Sequence, residues 1–331
     1  MKKTLRLLAP RLSNHPLIAV AVLAMAVIAV VVLQSGTAWA QEVSNDRNTT
    51  RSDTVRLNPA HLNPSIEKLA AGKPIFGIQT SDMSRDSARA IGNLDTDLVY
   101  VDMEHSPMNF DGLANFVASM GNKAYTLKKG NAQPKSAVIA RFPPYGFEHS
   151  AWVVKQALDI GLMGFLFNGI ETKEDAEFAV KSMRYPPWRT NPHTQEGPRG
   201  LRGWSPTGAL WVWGISADEY RRRADVWPLN PEGDLMSVLS IESAEGVDNI
   251  EAIASVPGIS VLHAAAGGDL SASYGVPNNT PPVEAGRQKI LKACLAHHIV
   301  CSIHVHGKAE IDRRLKEGWT MIITESGTPN E

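Results

Sequence analysis

What most constrains this chain is an alternation. Eight short runs, each apolar and rich in β-branched or aromatic residues, recur at Ile75 to Thr80, Leu98 to Met103, Ala137 to Arg141, Gly164 to Phe167, Leu235 to Ile241, Ile259 to His263, Ile299 to His304 and Met321 to Thr324. Segments with helical spacing lie between them, among them Asp111 to Met120, Ser150 to Leu158, Thr172 to Met183, Glu245 to Ser255, Val283 to His297 and Lys308 to Glu317. Strands that are apolar on both faces belong in a parallel sheet covered by helices. Eight strand–helix units predict a closed (β/α)8 barrel, one domain over residues 63–331, opened by a short helix with Asn63 as N-cap, Pro64 at its first position and Gly72 at its close.

Composition agrees with that size of core. The 331 residues are 43% hydrophobic and 20% charged, with 21 Pro and 26 Gly spread along the chain, which excludes disordered, collagenous and coiled-coil classes. The formal charge is −1, and the first 40 residues contribute only basic groups, so the remainder is acidic; nucleic acid is excluded as a partner for want of a basic face. Residues 1–40 have a basic start, an apolar run from Leu17 to Leu33 and the small-residue motif Ala38-Trp39-Ala40, which predicts an export signal cleaved after Ala40 and a periplasmic destination. An uncleaved membrane anchor is the alternative. Residues 41–62 form a polar leader arm. In an oxidising compartment Cys294 and Cys301 could pair, but two buried thiols are the favoured reading.

Two irregularities mark the barrel. A Pro- and Trp-rich insertion runs from Tyr185 to Gly233, with a helix expected at Ser216 to Arg223, and its tryptophans suit either a lid over the site or core packing. No eighth helix follows the last strand, so the leader arm or a neighbouring subunit is expected to cover that side, and a homo-oligomer is anticipated.

Catalytic groups of such barrels sit at the carboxyl ends of the strands. Here those ends carry Asp102, Glu104 and His105 after the second strand, Arg141 on the third, Ser240 and Glu242 on the fifth, and Gly267, Gly268 and Asp269 after the sixth. Glu242 and Asp269 offer hard oxygen ligands to Mg²⁺ or Mn²⁺, with Co²⁺ as a further option. The glycines before Asp269 would let backbone N–H groups approach a substrate carboxylate. His105 is the candidate general base.

These residues lie in LVYVDMEHSP (98–107), VIARFPP (138–144), KQALDIGLMGFL (155–166), MRYPP (183–187), SIESAEGVDNIEAIASVPGI (240–259) and GGDLSASYG (267–275). In that order and spacing they resemble the HpcH/HpaI aldolases, metal-dependent class II pyruvate aldolases, from about Gly77 to Thr324. The resemblance implies a TIM barrel of the phosphoenolpyruvate/pyruvate-domain type that cleaves a 4-hydroxy-2-oxo acid to pyruvate, or a related 2-ketoacid, and an aldehyde through a metal-stabilised enolate. By the same resemblance His105 is the catalytic His, Asp159 its carboxylate partner, Arg141 the arginine at the ketoacid carbonyl, Glu242 and Asp269 the metal ligands, and Asp102 a supporting group. Departures from the family pattern are Ser240 in place of a Gln, Ala266-Gly267 in place of Gly-Pro, and Trp188 to Glu196 interrupting the loop after MRYPP.

Other readings follow from the same residues. An exported barrel that binds a 2-ketoacid or dicarboxylate without turning it over would keep the pocket and tolerate those departures. His304 and His306 share one strand face at a spacing that binds zinc in some barrels, or are an ordinary strand-end pair. Arg221, Arg222 and Arg223 read as a solvated helix face.

Overall fold

The computed structural model describes residues 58–143, 148–187, 196–265 and 268–330. The segment expected to be an export signal and most of the expected leader arm therefore lie outside the described residues, as do Ala266 and Gly267. Eight parallel strands close into a barrel in sequence order. They are β1 (Ile75–Thr80), β2 (Leu98–Asp102), β3 (Ala137–Arg141), β4 (Gly164–Phe167), β5 (Met236–Ile241), β6 (Val261–Ala264), β7 (Val300–His304) and β8 (Met321–Thr324). Each coincides with a predicted run to within two residues at either end. The helices are α1 (Pro64–Ala70), α2 (Arg85–Asn93), α3 (Phe110–Met120), α4 (Lys123–Lys129), α5 (Ala151–Ile160), α6 (Lys173–Met183), α7 (Thr207–Trp213), α8 (Ala217–Arg223), α9 (Ala244–Asp248), α10 (Ile250–Ala254), α11 (Gly268–Tyr274), α12 (Pro281–His297) and α13 (Lys308–Glu317). None of those helices is long and apolar enough to cross a membrane.

One rule positions the site. Side chains alternate faces along a strand, and paired residues of parallel neighbours share a face. The registers Gln79↔Tyr100, Asp102↔Arg141, Arg141↔Leu166, Leu166↔Val238, Ser240↔His263 and His263↔Ser302 therefore carry one inward parity around the ring. It returns through His304↔Ile323 and Gly77↔Ile323. At the floor this parity demands small residues: a Cβ on Gly77 would lie 2.8 Å from the Ile323 side chain, and one on Gly164 2.8 Å from Ile139. At the carboxyl ends it turns polar, presenting Gln79, Asp102, Arg141, Ser240, His263, Ser302 and His304.

The opposite end is tied shut by α1. Asn63 caps the helix as the sequence predicts, accepting from the N–H groups of Ser65 and Ile66. Its Nδ2 also donates to the carbonyls of Met163 (3.2 Å) and Asp234 (3.1 Å), which seats α1 on the segments entering β4 and β5. The described end of the leader arm is docked rather than free. Arg223 donates to the carbonyls of Pro59 and Ala60, and Leu62 is fully buried.

The insertion also belongs to this end, because it follows α6 and precedes β5. Arg202 lies over the Tyr185 ring (4.5 Å to its centroid) and bonds to the Tyr220 hydroxyl, while buried Trp213 donates to the Gly161 carbonyl beside β4. The lid reading is thus overturned for Trp204 and Trp213, which pack with Tyr220. Trp211 is solvent-exposed, and Trp188 lies outside the described residues. A helix at Thr207–Trp213 joins the expected one at Ala217–Arg223. Of the three arginines only Arg222 has the solvated character expected of the run. Arg221 stacks on Trp204, and Arg223 is buried against Asp234 and Glu219.

Cys294 and Cys301 form a disulfide, which corrects the reading as two thiols. His298 takes a left-handed conformation immediately after α12 and turns the chain straight into β7. That turn brings the two Cα atoms to 5.7 Å.

Asn63→Ala removes the helix cap and the bonds that seat it, and should lower unfolding free energy by about 2–3 kcal/mol with the barrel intact. A urea midpoint unchanged from wild type would show that α1 contributes little to closing the fold.

Candidate functional site

The site is built outward from Asp102, the last residue of β2. Its buried carboxylate accepts from Gln79 Nε2 (2.7 Å), Arg141 Nη2 (2.7 Å) and Nε (3.2 Å), and the backbone N–H of Glu104 (3.0 Å). The pairing Asp102↔Arg141 in the β2–β3 register places the two side chains side by side, so the fork meets both oxygens. Burial alone would raise this carboxyl, but hydrogen bonds from Arg141 and His105 outweigh it and hold it at about 2. Asp102 is therefore a carboxylate at any physiological pH.

His105 extends from this anchor into solvent. Its Nδ1 lies 3.0 Å from Asp102 Oδ2 and 2.9 Å from Arg141 Nη2. A guanidinium nitrogen only donates, so Nδ1 either gives its proton to Asp102 or accepts one from Arg141. In the first state Nε2 carries the free lone pair and faces outward as a base.

Glu104 completes this side. Arg141 Nη1 is 2.9 Å from its Oε2, so one guanidinium neutralises two carboxylates. Burial leads in raising the Glu104 carboxyl above its ordinary range. Asp102, Glu104 and His105 each present a ligand atom within 4.8 Å of the others, the one such trio among the described residues. Arg141 already supplies their positive charge. His304 and His306 form no comparable group: their ring centroids are 5.1 Å apart, and His306 pairs with Glu325 at 3.1 Å.

Across the mouth Glu242 follows β5. Gly169 N–H donates to its Oε1 (2.7 Å) and Ser240 Oγ to its Oε2 (3.0 Å). Ser240, shorter than the residue the family pattern leads one to expect, thus still reaches the carboxylate from its own strand. Burial pushes the Glu242 carboxyl up to about 7; repulsion from Glu104 and Asp269 adds to the rise, and the two donors only partly offset it. Asp269 stands exposed in the first turn of α11, preceded by Gly268, and acts electrostatically on both glutamates. Among the described residues neither Glu242 nor Asp269 has a cationic side chain as partner. A divalent cation fits that donor set: hard oxygens, excess negative charge, and a carboxyl that burial and neighbouring acids push up to about 7.

Asp159 is not brought to His105 within the chain. It lies in the last turn of α5, which leads into the amino-terminal end of β4, whereas His105 follows the carboxyl end of β2. There Asp159 accepts from Lys155 Nζ (2.5 Å) and Arg202 Nη2 (2.7 Å). The carboxylate that holds His105 is Asp102, three residues before it. Sequence reasoning also missed Gln79, Tyr100, Asn168, Gly169 and His263. Strand parity could have found Gln79, Tyr100 and His263; the Gly169 N–H is visible only in three dimensions.

Fold and mouth together define a (β/α)8 barrel with a carboxylate-rich catalytic end. The chain belongs to the HpcH/HpaI aldolase/citrate lyase family, whose pattern it matches over residues 80–324, and members of that family are aldolases and lyases. It is 28% identical over 270 residues to a 5-keto-4-deoxy-D-glucarate aldolase of Shigella boydii, covering 81% of this chain and 91% of that protein. The corresponding enzyme of Escherichia coli K12 is 29% identical over 260 residues, 78% of this chain and 88% of that one. A crystal structure of a family member from Burkholderia cenocepacia superposes with a TM-score of 0.62 at 28% identity, covering 76% of this chain and 88% of the other. The HpcH/HpaI aldolase of Desulfitobacterium hafniense shares the fold, with a TM-score of 0.61 at 21% identity, covering 78% and 88%.

Because the raised Glu242 carboxyl holds its proton up to about pH 7, a cation bound there would have to displace that proton at lower pH. Mn²⁺ affinity measured by calorimetry should rise up to about tenfold per pH unit on approaching 7 and level off above it. The same group favours the metal-free fold below its unfolded value near 4.5, and that contribution is lost as pH rises through about 7. Metal-free protein should accordingly become less stable from pH 5 to 7.5, Mn²⁺ should restore it, and Glu242→Gln should flatten both profiles. A pH-independent Mn²⁺ affinity would contradict this account of Glu242.

Proposed function

We propose that this chain is a class II, divalent-metal-dependent aldolase that cleaves a 4-hydroxy-2-oxo acid to pyruvate, or a related 2-ketoacid, and an aldehyde. The observation that carries the reading is the pairing of an exposed imidazole, anchored by a buried low-pKa carboxylate, with a cluster of acids that has no cationic partner among the described residues in the same mouth. The family and the glucarate-aldolase relatives support it.

Glu242 and Asp269 would hold the cation, Mg²⁺ or Mn²⁺ with Co²⁺ as a substitute, which when bound supplies Lewis-acid polarisation of the 2-oxo acid. His105 Nε2 takes the proton of the 4-hydroxyl while Asp102 accepts from Nδ1 and balances the imidazolium. The C3–C4 bond then breaks, the C4 oxygen becomes the carbonyl of the departing aldehyde, and C3 of the ketoacid half is left to be protonated. Arg141 faces the growing negative charge, its guanidinium held rigid by Asp102 and Glu104. The approach to Asp269 is open at Gly268, where even an added Cβ would meet nothing within 4 Å. Gly267, proposed to contact the ketoacid carboxylate, lies outside the described residues.

The same reading places the protein in an exported, oxidising compartment after cleavage behind Ala40. The Cys294–Cys301 disulfide supports that location. A homo-oligomer is proposed with it.

Purified protein beginning at Gln41 should release pyruvate from 4-hydroxy-2-oxo acids with Mg²⁺ or Mn²⁺ and stop when a chelator is added. His105→Ala should lower kcat about 10²–10⁴-fold with ketoacid binding retained, and Glu242→Ala should abolish both metal binding and turnover. Metal-dependent binding of pyruvate or oxalate without any release would instead make this a ketoacid-binding barrel.

A further inference from the structure

Gln79 takes no part in the chemistry proposed above, yet it makes one of the two shortest bonds to Asp102. In the β1–β2 register it is paired with Tyr100, so Asp102 lies one inward position further along the neighbouring strand. Two residues of strand rise about 6.6 Å, and diagonal neighbours at that offset stay within reach of a long side chain. Gln79 Nε2 accordingly meets Asp102 Oδ2 at 2.7 Å. An ionised carboxylate only accepts, so the amide must present its nitrogen there.

Oδ2 is crowded. Arg141 Nη2 also donates to it at 2.7 Å, and His105 Nδ1 stands third at 3.0 Å. One carboxylate oxygen offers about two lone-pair directions, and the two shorter bonds claim both. Arg141 Nη2 has a second hydrogen and lies 2.9 Å from Nδ1, so the ring nitrogen has a donor as near as its acceptor. Oδ1 is engaged elsewhere, by the Glu104 N–H at 3.0 Å and Arg141 Nε at 3.2 Å. Glu104 Oε2 is 3.8 Å from Nδ1 and is itself paired with Arg141 Nη1. Whether Nδ1 carries a proton therefore turns on the acceptor strength left on Oδ2. Arg141 acts on the carboxylate and the ring at once, whereas the bond from Gln79 runs to the carboxylate.

We propose that Gln79 is a positioning residue that sets how firmly Asp102 holds His105: by drawing on Oδ2 it keeps the proton of the neutral ring divided between Nδ1 and Nε2. The use of that balance in turnover rests on the aldolase reading above. A carboxylate given over wholly to the ring would stabilise the imidazolium so strongly that the proton taken by Nε2 would be slow to leave, and a general base works best when it gives up its proton as readily as it takes it. With Gln79 in place Asp102 still orients the ring, through an interaction longer than its two competitors.

The test reads the tautomer of His105 from ring ¹⁵N chemical shifts of histidine-labelled protein with Mg²⁺ present, at about pH 8.5, above the usual imidazole range. The His105 signals are those lost in His105→Gln. Wild type should show measurable fractions of both tautomers. Gln79→Met, of similar length but without a donor, should raise the ratio of Nδ1–H to Nε2–H roughly three- to tenfold, the size of one net hydrogen bond. Gln79→Lys, which brings a charged and therefore stronger donor to Oδ2, should lower it. A merely structural role gives a different pattern, because loosening Asp102 would lower the ratio in both variants. A ratio that fails to rise in Gln79→Met, or fails to fall in Gln79→Lys, overturns the proposal. Pyruvate release from 4-hydroxy-2-oxo acids by the same wild-type preparation keeps the two readings apart. No release, with the ratios moving as stated, removes the aldolase reading and leaves the role of Gln79; release with unmoved ratios does the reverse. Should one variant fail to fold, the other decides by its own sign.

Discussion

The ion pair between Asp102 and Arg141 is the constraint on which the mouth depends. It arises from backbone register, since β2 and β3 put the two residues opposite one another at the ends of their strands. Two parallel N–H···O bonds fix the guanidinium, and the second face of the same group reaches Glu104. Asp102 kept ionised in this way can orient His105. Replacing Arg141 by a neutral residue of similar bulk would leave the buried Asp102 carboxylate without its cation, and replacing Asp102 would release the imidazole.

Charge is distributed unevenly around this pair. On the β2–β3 side Asp102 and Glu104 share one guanidinium, while on the β5–β6 side Glu242 and Asp269 have none among the described residues. The asymmetry is what separates a structural acid cluster from one suited to a cation. It also explains why Glu242 behaves so differently from Asp102 although both are carboxylates at strand ends. One is surrounded by donors and a cation, the other by two donors and two further acids.

Much of this was legible in the sequence. Strand positions followed from short β-branched runs, and the barrel followed from their number and alternation. Asn63 and Pro64 announced the first helix because cap chemistry is local. Strand-end residues Asp102, Glu104, His105, Arg141, Glu242 and Asp269 were found because barrel chemistry gathers there. The partner of His105 was not found, since the resemblance pointed to Asp159 while the chain places that carboxylate at the other end, in the grip of Arg202 and Lys155. The disulfide depended on one left-handed residue, His298, that composition does not reveal. The role of the tryptophans depended on which end of the barrel the insertion occupies, and apolar content is silent on that point.

The central claim is that Glu242 and Asp269, not Asp102, Glu104 and His105, hold the metal. A crystal structure of the protein grown with Mn²⁺ and oxalate, with anomalous data collected for manganese, tests it directly. The account predicts an anomalous peak within coordination distance of Glu242 and Asp269, with Arg141 still bound to Asp102. A peak coordinated by Asp102, Glu104 and His105, with Arg141 displaced, would contradict it.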